Sequence, residues 1–178
     1  PGDYIVSTGF HGLSRLGLAL LTSEKLPSKA PVSPELIDRA INAHKRPYPA
    51  LKALKTLIAC KPQSTSWRAA GTDSSDGLIE SIRGICQASN CQAVLSKTSI
   101  LKHPDWPEDD IWDEWILNGG EDYELILSLP KDWAKSLSNK LKSAKIIGFI
   151  KEGKPNIFWD NLEQTKIDQS SLFRHFKL

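Results

Sequence analysis

The chain has 178 residues, 40% hydrophobic and 25% charged, with 23 basic and 21 acidic side chains for a formal net charge of +2. That is the composition of an ordinary globular domain, large enough to bury a core without disulfide or metal staples. The charges are interspersed with no basic block, which argues against a nucleic-acid partner, and no apolar run approaches the ~18 residues of a membrane span.

Residues 3–8, DYIVST, are aromatic and β-branched and predict a strand. Leu13, Leu16 and Leu20, with Leu21 beside them, then recur at helical spacing. A proline-punctuated loop over 25–34 ends with Ser33 as an N-cap and Pro34 at the first helical position, opening a helix with Leu36, Ile37, Ala40 and Ile41 on its apolar side. A helix over 51–59 is expected to bury Leu51, Leu54 and Ile58. Residues 67–74 predict a short buried strand, and Leu78, Ile82, Ile85 and Cys86 form the stripe of the helix that follows. CQAVLS predicts another strand, 96–110 a long polar connection, and DDIWDEWIL an acidic helix. Beyond Gly119 and Gly120, alternation puts Tyr123, Leu125, Leu127 and Leu129 on one face of a strand. Trp133, Leu137 and Leu141 mark a last helix, and AKIIGFI and NIFWD predict strands joined as a hairpin by KEGKP. Irregular alternation of strands and helices points to one α+β domain, a mixed sheet packed with helices, rather than a doubly wound sheet.

Cys60, Cys86 and Cys91 lack the spacing of a zinc site and read as free thiols in a reducing compartment. With no signal peptide evident, the cytoplasm is the expected location. The chain contains no methionine, so it is expected to be a piece of a longer protein.

Three stretches carry candidate chemistry. DSSDGL, residues 73–78, sets Asp73, Ser75 and Asp76 at the mouth of a helix. Such residues cap helices, but the same groups suit a site where carboxylates hold Mg²⁺ and helix N–H groups meet a phosphate, with Gly77 allowing close approach. GGEDYEL, residues 119–125, is either a glycine turn before an edge strand with exposed acids or a place where a ligand meets the backbone. On the second reading Glu121 projects at the strand mouth and accepts from an amine. TGFHGLSRLGL, residues 8–18, matches neither a dinucleotide fingerprint nor a Walker loop, and its glycines read as packing a helix on a sheet. The six tryptophans show no stacking spacing, and His11 and His44 have no evident partner, so no catalytic residue is assigned.

Taken in order, PGDYIVSTGFHGLSRLGL, HKRPYP, DSSDGL, ASNCQAV, GGEDYEL and LFRHF resemble the C-terminal domain of thiamine-monophosphate kinase, from the superfamily of aminoimidazole ribonucleotide synthetase. The resemblance implies an ATP- and Mg²⁺-dependent kinase that converts thiamine phosphate to thiamine diphosphate. It implies that residues 1–178 form one domain of a homodimeric enzyme whose N-terminal ATP-binding and dimerisation domain is absent here, leaving the chain inactive alone. Carried over position by position, it makes Asp73 and Asp76 metal ligands and Ser75 an ATP contact. Glu121 and Phe173 become substrate contacts, with Phe173 stacking on the thiamine. Competing expectations are a sister synthetase of the same superfamily, a binding domain without catalysis, and a Mg²⁺-dependent phosphatase.

Overall fold

Alternation along Leu125–Leu129 sends Ile126 into one apolar cluster and Leu127 and Leu129 into another. Ile5 and Val6 divide in the same way, so the sheet they belong to is covered on both faces. The structure is a computed structural model that describes residues 1–161 and 165–167. Its strands are β1 (Tyr4–Ser7), β2 (Ala70–Asp73), β3 (Cys91–Leu95), β4 (Leu125–Leu129), β5 (Lys145–Glu152) and β6 (Asn156–Trp159). They form one sheet in the order β2-β4-β1-β5-β3-β6. All pairings are antiparallel except β3 with β6, which makes the sheet mixed, as expected.

The helices are α1 (Leu13–Leu21), α2 (Pro34–Lys45), α3 (Leu51–Ala59), α4 (Leu78–Ser89), α5 (Asp110–Asn118) and α6 (Lys131–Lys140). On the face of Ile5 and Ile126, Leu16, Leu36, Ile79, Ile82, Trp112 and Ile116 bring in α1, α2, α4 and α5. On the other face, Leu57 of α3 packs with Trp133 and Leu137 of α6. Ser33 caps α2 as expected, its Oγ accepting from Leu36 N at 3.1 Å, with Pro34 at the first turn. Gly17 packs α1 against α2 rather than on the sheet, since a Cβ there would lie 2.1 Å from Ala40 O.

Four expectations are corrected. The apolar stripe of α3 is not its buried face: Leu51, Leu54 and Ile58 are 53%, 43% and 54% exposed, and Ala53 and Leu57 face the core instead. Helical spacing identifies the helix but not which of two apolar rows meets the sheet. β2 is an edge strand paired with β4, and its four small or polar residues are exposed, not buried. β5 and β6 are not a hairpin, because β3 lies between them and pairs with both. The 96–110 segment is less polar in place than in sequence, since it contains a short 3₁₀ turn (Lys97–Ser99) and buries Ile100 and Trp106.

The tryptophans, despite their irregular spacing, do meet. Trp106 and Trp112 are 5.9 Å apart and Trp112 and Trp115 5.4 Å apart, both edge to face, and Arg15 stacks 4.3 Å from the Trp115 ring. The burial of α3 yields a direct check. Leu57→Ala is expected to cost about 2–4 kcal/mol in urea unfolding, while Leu54→Ala stays within roughly 1 kcal/mol.

Candidate functional site

The sheet topology brings three separated loops to one end. β1 and β2 both run antiparallel to β4, with Ser7 opposite Ile126 and Asp73 opposite Leu125. The segments leaving β1 (8–12) and β2 (74–77) therefore meet the one entering β4 (119–124).

Hydrogen bonds lock the three together. Ser74, fully buried, donates its N–H to Glu124 O at 2.9 Å and accepts from Glu124 N on Oγ at 3.0 Å. Glu121 N donates to Ser75 O at 2.8 Å. Thr8 accepts from Leu125 N on Oγ1 at 2.8 Å and donates from the same hydroxyl to Glu124 Oε2 at 2.5 Å. Burial raises the Glu124 carboxyl above its ordinary range, against that hydrogen bond from Thr8.

Asp122 is the residue that sequence reasoning passed over. Its carboxylate accepts from Gly12 N at 2.7 Å and Ser14 N at 2.9 Å, so it caps α1 from more than a hundred residues away. Burial pushes its carboxyl up to about 7, while the N–H groups of Ser14, Gly12 and Leu13 pull the other way and the Glu124 charge adds to the rise. No local pattern signals this cap, because α1 is preceded by Gly12, and α1 has no side-chain cap within its own segment. With Asp122 seated, Glu121 and Tyr123 take left-handed backbone at φ 66° and 54°, each costing about 1–3 kcal/mol for a residue with a side chain. Tyr123 accordingly does not continue the alternation of β4, which begins at Leu125.

In DSSDGL the N-cap position of α4 falls to Gly77, not to a serine or aspartate, so the cap residue itself offers no side chain. Asp73 Oδ1 instead accepts from Ser75 N at 3.1 Å, closing a turn that leaves the Asp73 side chain exposed. Gly77 is required for another reason than a ligand's approach: at φ 98°, a Cβ would lie 3.0 Å from Asn118 O. Asp73, Ser75 and Asp76 line an open groove of about 370 Å³, whose floor continues along Gly71, Thr72 and Gly84.

The structure thus brings Asp73, Ser75, Asp76 and Glu121 to one end of the sheet, while Phe173 lies outside the described residues. His44, which had no evident partner, has two: its Nδ1 is 3.0 Å from Ser14 Oγ and 3.5 Å from Glu121 Oε2. His11 Nε2 lies 2.8 Å from Ser7 Oγ, its Nδ1 has no hydrogen-bond partner, and burial lowers its pKa to about 4. Among the described residues no group of three or more His, Cys, Asp and Glu is placed to hold a metal ion. Two carboxylates are the oxygen donor set that Mg²⁺ accepts when phosphates complete its shell. Among the same residues no helix is long and apolar enough to cross a membrane.

Two checks follow from this geometry. Asp122→Ala leaves the Gly12 and Ser14 N–H groups without an acceptor and is expected to lower unfolding free energy by about 1–3 kcal/mol. For His11, the folded state resists protonation while the unfolded chain takes a proton below the ordinary histidine value of 6.5. Its contribution is complete above pH 6.5 and is lost as pH falls toward 4, a change of roughly 3 kcal/mol. Urea titrations at stepped pH should show that slope, reduced in His11→Gln.

Among known proteins, no family model matches the chain. It is 47% identical to the thiamine-monophosphate kinase of Prochlorococcus marinus, over 99% of this chain and 53% of that protein. With the thiamine-monophosphate kinase of Synechococcus elongatus it shares 40% identity, over 98% and 52%. The structure superposes on AaThiL complexed with AMPPCP and TMP with a TM-score of 0.73, at 26% identity over 98% of this chain and 52% of that one. Escherichia coli HypE shares the fold, with a TM-score of 0.64 at 16% identity, over 99% of this chain and 51% of the other. The chain spans about half the length of the curated relatives it matches.

Proposed function

We propose that this chain, homologous over nearly its whole length to thiamine-monophosphate kinases, is the C-terminal half of an enzyme that transfers the γ-phosphoryl group of ATP to thiamine phosphate. The observation that carries the proposal is the 2.8 Å hydrogen bond from Glu121 N to Ser75 O. It fixes the loop of Glu121 against the loop of Asp73 and Asp76, so a group that accepts from an amine stands beside the groove lined by a pair that attracts a cation. The AMPPCP and TMP named for AaThiL are the matching pair of ligands.

In this assignment a phosphate oxygen of thiamine phosphate attacks the γ-phosphorus of ATP. One P–O bond forms, the bond to the β–γ bridging oxygen breaks, and ADP leaves with its electron pair. The attacking phosphate monoester has a second pKa near 6 and is largely dianionic at neutral pH, so no general base is needed. That fits a site in which His11 is buried with a depressed pKa. The obstacle is repulsion between two polyanions, and Mg²⁺, when bound, supplies the neutralising charge. Asp73 and Asp76 hold it from the groove wall. Ser75, between them, contacts ATP, and the N-terminus of α4, opened by Gly77, is a favourable end for a phosphate. Glu121 accepts from the amine of the aminopyrimidine, and Phe173 stacks on the ring. A second domain supplies the rest of the ATP surface and the dimer contact, so residues 1–178 alone are inactive. We place the whole enzyme in the cytoplasm, acting on small molecules and not on nucleic acid or membrane.

The test uses the full-length protein with ATP, Mg²⁺ and thiamine phosphate, reading thiamine diphosphate by chromatography. Turnover is expected to require Mg²⁺ and to fall on the order of 10²-fold or more in Asp73→Asn. Failure with thiamine phosphate, alongside ATP consumption with a substrate of the sister synthetases, would overturn the assignment.

A further inference from the structure

Glu121 and Asp122 are chain neighbours, and both carboxylates lead to Ser14 of α1. Asp122 accepts from Ser14 N at 2.9 Å. Glu121 reaches the same residue through a ring: Ser14 Oγ lies 3.0 Å from His44 Nδ1, which lies 3.5 Å from Glu121 Oε2. Ser14 is 1% exposed, whereas the side chains of His44 and Glu121 are 22% and 36% exposed. The arrangement joins a buried hydroxyl to a half-exposed carboxylate.

The chemistry of the ring fixes its proton. A carboxylate only accepts, so a bare Nδ1 lone pair facing Glu121 would repel it. With the proton on Nδ1, the ring donates to Ser14 Oγ, whose hydroxyl serves as acceptor, and turns the same positive edge toward Glu121 Oε2 at 3.5 Å. The neutral Nδ1–H ring and the imidazolium both present that proton, and with it both contacts are favourable. We propose that His44 is a positioning residue, which uses its Nδ1–H, braced by Ser14, to hold the Glu121 carboxylate in the orientation that receives the amine of the substrate. The proposal rests on Glu121 being the substrate contact assigned above. Location in the last turn of α2 would by itself suit a histidine as a helix-end cation. That role needs no donor at the δ position and no link to Glu121, and here the two roles diverge.

The experiment compares His44→Leu, His44→Asn and Glu121→Gln, with the His44→Leu/Glu121→Gln pair, in the full-length enzyme. An asparagine amide can place a donor near the position of Nδ1, and leucine places none. His44→Leu is expected to raise the KM for thiamine phosphate about tenfold, while kcat and the KM for ATP stay within about twofold. His44→Asn should remain within about threefold of wild type, and His44→Leu should add little once Glu121 is already glutamine, as for any two residues acting through one contact. An unchanged thiamine phosphate KM in an active, folded His44→Leu enzyme would overturn the proposal. So would equal defects in the leucine and asparagine variants, or a leucine effect undiminished beside Glu121→Gln. A wild-type enzyme with no turnover of thiamine phosphate would overturn the underlying assignment, and the proposal with it.

Discussion

A carboxylate from the segment that enters β4 sits on the first N–H groups of a helix more than a hundred residues earlier. Asp122 on Gly12 and Ser14 decides where α1 begins, and it also decides the path of the segment that enters β4. Without that acceptor the N–H groups are orphaned at a part-buried position, and the left-handed backbone at Glu121 and Tyr123 loses the anchor between them. Glu124, two residues on, ties the same end together differently, its carboxylate accepting from the Thr8 hydroxyl and its backbone N–H donating to Ser74 Oγ. The end of the sheet that carries the groove is therefore assembled by acids that never reach the groove themselves.

Much of the fold was legible because it rests on local chemistry. Ser33 and Pro34 announce α2, and the stripe of Leu78, Ile82, Ile85 and Cys86 meets the core as its spacing requires. Errors arose where the answer depends on neighbours. α3 has two apolar rows, and only the position of α6 decides that Ala53 and Leu57 face inward. A turn such as KEGKP suits a hairpin, yet β3 intervenes, and strand order is a non-local fact. The tryptophans at 106, 112 and 115 lack a helical or strand period as a set because they bridge a loop and a helix.

The candidate site divides in the same way. Asp73, Ser75, Asp76 and Glu121 could be picked out from motif and resemblance, since each lies in a run of unusual composition. Their juxtaposition could not be, nor could the local turn in which Asp73 accepts from Ser75 N while Gly77 takes the N-cap of α4. Asp122 and His44 were missed for a shared reason. Each acts on a partner thirty or more residues away, and no spacing rule carries information over that distance.

The left-handed residues at Glu121 and Tyr123 bear on how a ligand would be received. Glycine is the residue that takes such backbone without strain, and it would also leave the segment free to sample many other shapes. Side-chain-bearing residues there allow few alternatives, and the bonds to Ser74, Ser75, Gly12 and Ser14 select one of them. The ordering cost is met when the protein folds, not when a molecule arrives. A segment of that kind has little conformational entropy left to surrender on association, so more of each contact it makes remains as affinity.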